Sequence, residues 1–225
     1  AQLSCAHNSN VHISYLIGKF LSYNCISHSN AKSLKLQGGL VYNTTYNYGE
    51  KGERDLKIKR FVSGSLESNG YVLYQKDGSS CLLIDPGYQS KTFIQYIQEQ
   101  NLNLTGIILT HLHHDHTGAA EAVQRVFECP IYMHKDDAYV YGGKVDVMME
   151  DGFSFDLEGE TLQVMHTPGH TMGSVCIYSE KSKVCFTGDT IFDTDLGRTD
   201  LAGGSESMMA DSIRNVVDRW DNQVT

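Results

Sequence analysis

Thr110-His111-Leu112-His113-His114-Asp115-His116 places four metal-competent side chains, His111, His113, Asp115 and His116, within six positions. Upstream, Gly106-Ile107-Ile108-Leu109 is a short apolar run rich in β-branched residues, which reads as a buried strand. Downstream, Ala119, Val123, Val126 and Phe127 recur at helical spacing across residues 117–127. The cluster therefore sits where a strand hands over to a helix, and a loop there can turn all four side chains toward one point. Neutral imidazoles and a carboxylate suit zinc or iron, so the His-x-His-x-Asp-His spacing is read as a metal site rather than a run of solvated rings.

Two further segments deliver one ligand-type residue each. Val164-Met165-His166-Thr167-Pro168-Gly169-His170-Thr171 ends a strand in a Pro-Gly turn that presents His170, and Val184-Cys185-Phe186-Thr187-Gly188-Asp189-Thr190 ends another strand at Asp189. Strand ends are where layered α/β scaffolds carry chemistry. Taken alone, a Gly-Asp pair after a strand is most often a turn.

Together with Leu83-Ile84-Asp85-Pro86-Gly87 and Gly197-Arg198-Thr199-Asp200, these segments resemble the metallo-β-lactamase fold superfamily over roughly residues 57 to 225, and in particular its glyoxalase II-type (hydroxyacylglutathione hydrolase-like) branch. The resemblance implies an α/β fold, a four-layer αββα sandwich with two sheets face to face and helices outside. It implies two divalent metals, zinc being expected and iron or manganese the alternatives. His111, His113 and His170 would hold the first, Asp115 and His116 would serve the second, and Asp189 would bridge them. Asp115 and Asp189 are the residues expected to take part in catalysis, and Asp85 is expected to orient a ligand histidine from behind. Metals ~3.5–4 Å apart lower the pKa of a shared water, and the metal-bound hydroxide attacks a carbonyl whose oxyanion a metal can hold. A small-molecule thioester or ester is the expected substrate.

Two positions favour the glyoxalase II side. Class B β-lactamases typically carry Cys where this chain has Asp189, and the flavodiiron branch carries an acidic residue where it has His113. The family pattern also adds a His, in a Pro-Gly-His-Gly-like turn after the last strand of the domain, and no histidine follows His170 here. The expectation is a domain incomplete at its C-terminus. Two alternatives stand beside the hydrolase: a mono-iron persulfide dioxygenase-like enzyme using His111, His170 and Asp189, and a metal-binding protein without turnover.

Composition fits one catalytic domain. A chain of 225 residues with 40% hydrophobic and 20% charged residues is ordinary for a globular α/β protein. A net charge of −9 argues against a nucleic-acid surface. No apolar run approaches the ~18 residues that cross a bilayer, so no membrane partner is expected. The six cysteines, Cys5, Cys25, Cys81, Cys129, Cys176 and Cys185, form no Cys-x-x-Cys pair and read as small buried thiols, which points to a cytoplasmic setting.

Residues 1–56 differ from the rest. They contain no Pro and no acidic residue before Glu50, are rich in Ser, Asn and Tyr, and lack amphipathic periodicity. They are read as poorly ordered or extraneous, ahead of a hydrolase domain at 57–225. Within that domain, strands are predicted at 58–62, 71–74, 81–84, 106–109, 131–133, 152–155, 161–165, 174–178 and 183–186, with helices at 90–100, 117–127 and 205–220. His114 and His166 are read as supporting or solvent-facing. His134, beside Lys135, Asp136 and Asp137, is expected to lie exposed at a strand end, and Arg198 and Asp200 are expected to pair beneath the site.

Overall fold

Successive strand residues point to opposite faces of a sheet, and Leu82, Leu83 and Ile84 are all buried. Leu83 packs among Phe93 and Ile97, whereas Leu82 and Ile84 pack among Val164 and Ile177. The strand is therefore covered on both faces, which is why it reads as a continuous apolar run rather than an alternation. Ile107, Ile108 and Leu109 repeat the division: the first and third face the helix side, and Ile108 faces the second sheet.

The computed structural model describes residues 42–48, 56–220 and 224–225. Strands β1 (Tyr42–Tyr48), β2 (Leu56–Ser63), β3 (Ser68–Tyr74), β4 (Ser80–Ile84), β5 (Asn103–Leu109), β6 (Ile131–His134) and β7 (Val147–Met149) form one sheet in chain order. Pairing is antiparallel from β1 to β4 and parallel from β4 to β7. Strands β8 (Ser154–Leu157), β9 (Glu160–His166), β10 (Val175–Ser179) and β11 (Val184–Phe186) form an antiparallel second sheet ordered β11-β10-β9-β8.

Parallel neighbours need crossover connections, and helices supply them. Helix α1 (Ser90–Glu99) joins β4 to β5, while α2 (His114–Thr117) and α3 (Ala120–Phe127) lie between β5 and β6. Phe93 and Ile97, one helical turn apart, bury α1 against the outer face of the first sheet, where Ala120 and Val123 of α3 join them. Between the sheets, Leu56, Ile58, Leu73, Leu82, Ile84 and Ile108 meet Leu162, Val164, Val175, Ile177, Val184 and Phe186. Helix α5 (Glu206–Asn215) begins at Ser205, whose hydroxyl accepts the Met208 N–H, and runs into a 3₁₀ turn at Val217–Arg219. Met209, Ile213 and Val217 are its buried stripe, packed with Ile191, Leu196 and Trp220, and Trp220 stacks on Tyr178 of the second sheet. Helix, sheet, sheet and helix are the expected αββα layers. At the outer edge of the second sheet, the Thr225 backbone bonds Lys183 and Cys185 around β11.

Several expectations need correction. Tyr42–Tyr48, within the segment read as extraneous, pairs antiparallel with β2 from Tyr42 opposite Val62 to Tyr48 opposite Leu56, and Leu56 itself opens β2 in the core. Tyr and Thr favour strands, but Tyr-Asn-Thr-Thr-Tyr-Asn-Tyr carries no aliphatic residue to mark it. The rest of that segment lies outside the described residues. Strand β7 and a four-residue helix α4 (Lys135–Ala138) were not anticipated, and β8 starts two residues later than predicted. Cys81, Cys129 and Cys176 are buried free thiols and Cys185 is half-buried, while Cys5 and Cys25 lie outside the described residues. Among the described residues no helix is long and apolar enough to cross a membrane.

Ile108 is fully buried between the sheets one residue short of the end of β5. Ile108→Ala is expected to lower the unfolding free energy by about 2–5 kcal/mol, because the cavity it opens is walled by two rigid sheets. Chemical denaturation checks this. A loss below ~1 kcal/mol would contradict the packing described.

Candidate metal centre

Four strand ends deliver the site. β5 releases Thr110 and His111, β4 releases Asp85, β9 leads to the His170 turn, and β11 leads to Asp189. All six residues expected as ligands come together. Around His111 the ring centroids of His116, His113 and His170 lie at 4.3, 4.9 and 4.9 Å. His113 Nδ1 approaches His170 Nε2 at 2.8 Å, so these two nitrogens and His111 form one group able to hold a cation. Asp189 spans the gap to a second group. Its Oδ2 lies 3.3 Å from His170 Nε2 and 4.0 Å from His111 Nε2, and its Oδ1 lies 3.1 Å from His116 Nε2. Asp115 Oδ2 stands 3.4 Å from the same His116 nitrogen.

The residues fit divalent metals. Among the described residues His111 Nε2 has no hydrogen-bond partner, and it is buried while pointing toward Asp189 and His170. An orphaned buried polar atom costs about 1–3 kcal/mol, and an imidazole lone pair aimed at a carboxylate and two further imidazoles is a ligand geometry.

Four of the six candidate ligands are held by neighbouring groups. Asp85, 2% exposed, accepts the Thr110 N–H at 2.8 Å and the Thr110 hydroxyl at 2.6 Å, and its Oδ2 lies 2.9 Å from His116 Nδ1. Thr110 Oγ1 in turn lies 3.1 Å from His111 Nδ1. His170 donates its Nδ1–H to the Arg198 carbonyl at 2.7 Å, and Ser68 donates to Asp115 Oδ2 at 2.7 Å. Close backbone approach adds to this: a Cβ at Gly87 would overlap the Asp115 carbonyl, and one at Gly197 would overlap that of Asp189.

Asp137 of α4 is a brace that the sequence reading missed. Fully buried, it accepts the Leu112 N–H at 2.9 Å, the Thr171 hydroxyl at 2.8 Å and the Gly173 N–H at 2.6 Å. One carboxylate thereby ties the His111–His116 loop to the His170 loop. Burial raises its pKa against the pull of those donors. Its only sequence signal was an acidic residue just after a strand.

The electrostatics divide the site. Burial, and then His116, His170 and His113, push the His111 pKa well below the ordinary range, and burial and His170 lower that of His113. His116 behaves oppositely: burial lowers its pKa, but Asp85, Asp115 and Asp189 together outweigh burial and carry it up to about 12. The His116 contact holds the Asp115 carboxyl well below the carboxylate range.

The other histidines fall differently. His114 stays at the rim, its ring edge-on to Tyr88. His134 lies at the end of β6 as expected but is buried, 2% exposed, against the expectation of an exposed ring. His166 stacks on it. Arg198 and Asp200 do pair, through bonds of 2.8 and 2.9 Å, but on the surface rather than beneath the site. It is the Arg198 backbone that serves a ligand.

Comparison with known proteins agrees with this geometry. The family described as the metallo-beta-lactamase superfamily matches residues 64–225. A probable metallo-hydrolase of Bacillus subtilis is 32% identical over 70% of this chain and 82% of its own length. A hydroxyacylglutathione hydrolase of Haemophilus influenzae is 33% identical over 61% of this chain and 74% of its own. Among solved structures, the crystal structure of the BLEG-1 B3 metallo-beta-lactamase superposes with a TM-score of 0.68 at 31% identity, covering 73% of this chain and 87% of that one.

His111→Ala and His170→Ala are expected to abolish metal binding at this centre, and Asp85→Asn to weaken it about 10–100-fold through loss of ligand orientation. Metal uptake should also expel the His116 proton, so apparent affinity should rise with pH above neutrality. Calorimetric titration in buffers of different ionisation enthalpy measures both effects. Wild-type affinity in the Ala variants, or a heat independent of buffer, would contradict the assignment.

Proposed function

Because the chain belongs to the metallo-β-lactamase superfamily and gathers six ligand-type side chains at the ends of its sheets, we propose that it is a metal-dependent hydrolase that cleaves a small-molecule thioester or ester. The observation that carries this reading is the placement of Asp189, whose Oδ2 faces His170 and His111 while its Oδ1 faces His116. A carboxylate so placed serves two cations at once. His111, His113 and His170 are the residues to hold one, and Asp115 and His116 the other. When bound, two divalent ions ~3.5–4 Å apart supply a water of near-neutral pKa and Lewis acidity at the carbonyl oxygen.

The protein's own groups supply the rest. Asp115 offers its carboxylate beside His116, with Oδ2 3.4 Å from His116 Nε2. With Ser68 fixing one of its oxygens, it is placed to orient an attacking water and receive its proton. In the first group, His111 Nε2 has no hydrogen-bond partner among the described residues and is open to a metal. Zinc is the metal that best suits three imidazoles with carboxylates. The similar Haemophilus influenzae protein is a hydroxyacylglutathione hydrolase, and its substrate class is a thioester. That name and the carboxylate at position 189 support thioester cleavage over β-lactam opening.

Zinc-loaded protein should hydrolyse a glutathione thioester and a simple activated ester. Chelation should remove the activity and zinc should restore it. Asp115→Asn should lower kcat about 10²- to 10⁴-fold, the usual range for losing a positioned proton acceptor. Hydrolysis that survives chelation, or turnover of a β-lactam with none of either ester class, would overturn the proposal.

A further inference from the structure

A second group of ligand-type side chains lies away from the six-residue centre and shares none of its members. His134 is the last residue of β6 and His166 the last of β9, so the two come from different sheets. Their rings stack at 4.0 Å with 14° between planes. Asp136, at the start of α4, brings its Oδ2 to 3.7 Å from His134 Nδ1. One ligand atom from each of the three lies within 4.8 Å of the others.

We propose that His134, His166 and Asp136 form a second divalent-cation site, for zinc or a similar transition metal, that clamps the end of β6 to the end of β9. Both imidazoles have a nitrogen to offer. His166 donates its Nε2–H to the Met172 carbonyl at 2.9 Å, which leaves the lone pair on Nδ1. His134 Nδ1 accepts only the Asp136 N–H, at a long 3.3 Å. Two imidazoles and a carboxylate are a zinc-type donor set, and bonds of ~2.0–2.2 Å in tetrahedral geometry place ligand atoms ~3.4 Å apart. The His134–Asp136 separation is already close to that; the Asp136 side chain, 37% exposed, can close the rest, and the two rings would tilt out of their stack to aim both lone pairs at one ion.

The surroundings favour a cation. Burial, with His166 next, lowers the His134 pKa to about 4, so at neutral pH no proton competes for the ring. Among the described residues, Asp136, Glu150 and Asp151 stand around the pair, with Lys135 as the cation beside them. Lys135 is tied to Glu150 at 2.8 Å, and Asp151 accepts the His166 N–H at 2.9 Å.

An ion here would reach the main site mechanically. Asp136 precedes Asp137, the brace of both ligand loops, and His166 is bonded to the carbonyl of Met172 in the His170 loop. Filling the clamp would stiffen both.

The test uses the full chain stripped of metal and titrated with zinc alone, in wild type, Asp136→Asn and His166→Gln. Both altered side chains are partly exposed, so these variants avoid emptying the buried His134 position. Wild type should take up one equivalent more than either variant, or hold that equivalent at least ~10-fold more tightly. In wild type the imidazole NMR signals of His134 and His166 should shift with that equivalent. Signals of His111, His113 and His170 should respond alike in all three proteins. Equal uptake and affinity in wild type and both variants, or His134 and His166 signals that ignore zinc, would overturn the proposal and leave the pair as a stacked contact between sheets.

Discussion

The buried Asp85 carboxylate is the point on which the site turns. It ends β4 in a left-handed backbone conformation, φ 48°, which Asp adopts more readily than branched residues. From there one oxygen accepts the Thr110 N–H, and the other meets both the Thr110 hydroxyl and His116 Nδ1. Thr110 opens the ligand loop and His116 closes it, so one side chain fixes both ends of the segment that carries four of the six ligands. Losing it would strand buried donors at about 1–3 kcal/mol each. Gly87, two residues on, lets the same turn pass against the Asp115 backbone.

That arrangement explains the split in charge. Three carboxylates, Asp85, Asp115 and Asp189, surround His116, and without a metal the imidazolium is the cation that balances them. The imidazoles of His111, His113 and His170 stand on the other side, with burial lowering the pKa of the first two. Carboxylates gather on one half of the centre and imidazoles on the other, with Asp189 between. Burying so much like charge without compensation would be costly, and the proposed pair of divalent cations would complete the electrostatics of the site. Asp137 plays the matching part on the far side, holding the His170 loop to the His111 loop through three hydrogen bonds.

The His-x-His-x-Asp-His cluster was legible from its spacing, while the parts of His170, Asp189 and Asp85 came from the family resemblance, since their local signals are weak alone. The His-x-His-x-Asp-His spacing, the Pro-Gly turn before His170 and the Gly-Asp at 188–189 each follow an apolar strand. Every strand from β2 to β6 and from β8 to β11 overlapped a predicted one. What escaped had no periodic signal. β1 pairs by backbone with no aliphatic residue, and α4 is a single turn. His134 read as exposed because Lys135, Asp136 and Asp137 follow it. The helix instead turns Lys135 toward Glu150 and sends Asp137 fully inward. Asp137, Ser68 and the Arg198 carbonyl act through contacts between distant segments, Ser68 and Asp115 being 47 residues apart. No spacing rule reports such contacts.

The central claim is that six side chains form one centre for two cations bridged by Asp189. Anomalous diffraction from crystals of the zinc-loaded protein tests it most directly. Two peaks ~3.5–4 Å apart are expected, one enclosed by His111, His113 and His170, the other by Asp115 and His116, with an Asp189 oxygen in reach of each. A single peak with Asp189 turned away, or no peak among these residues, would contradict the account.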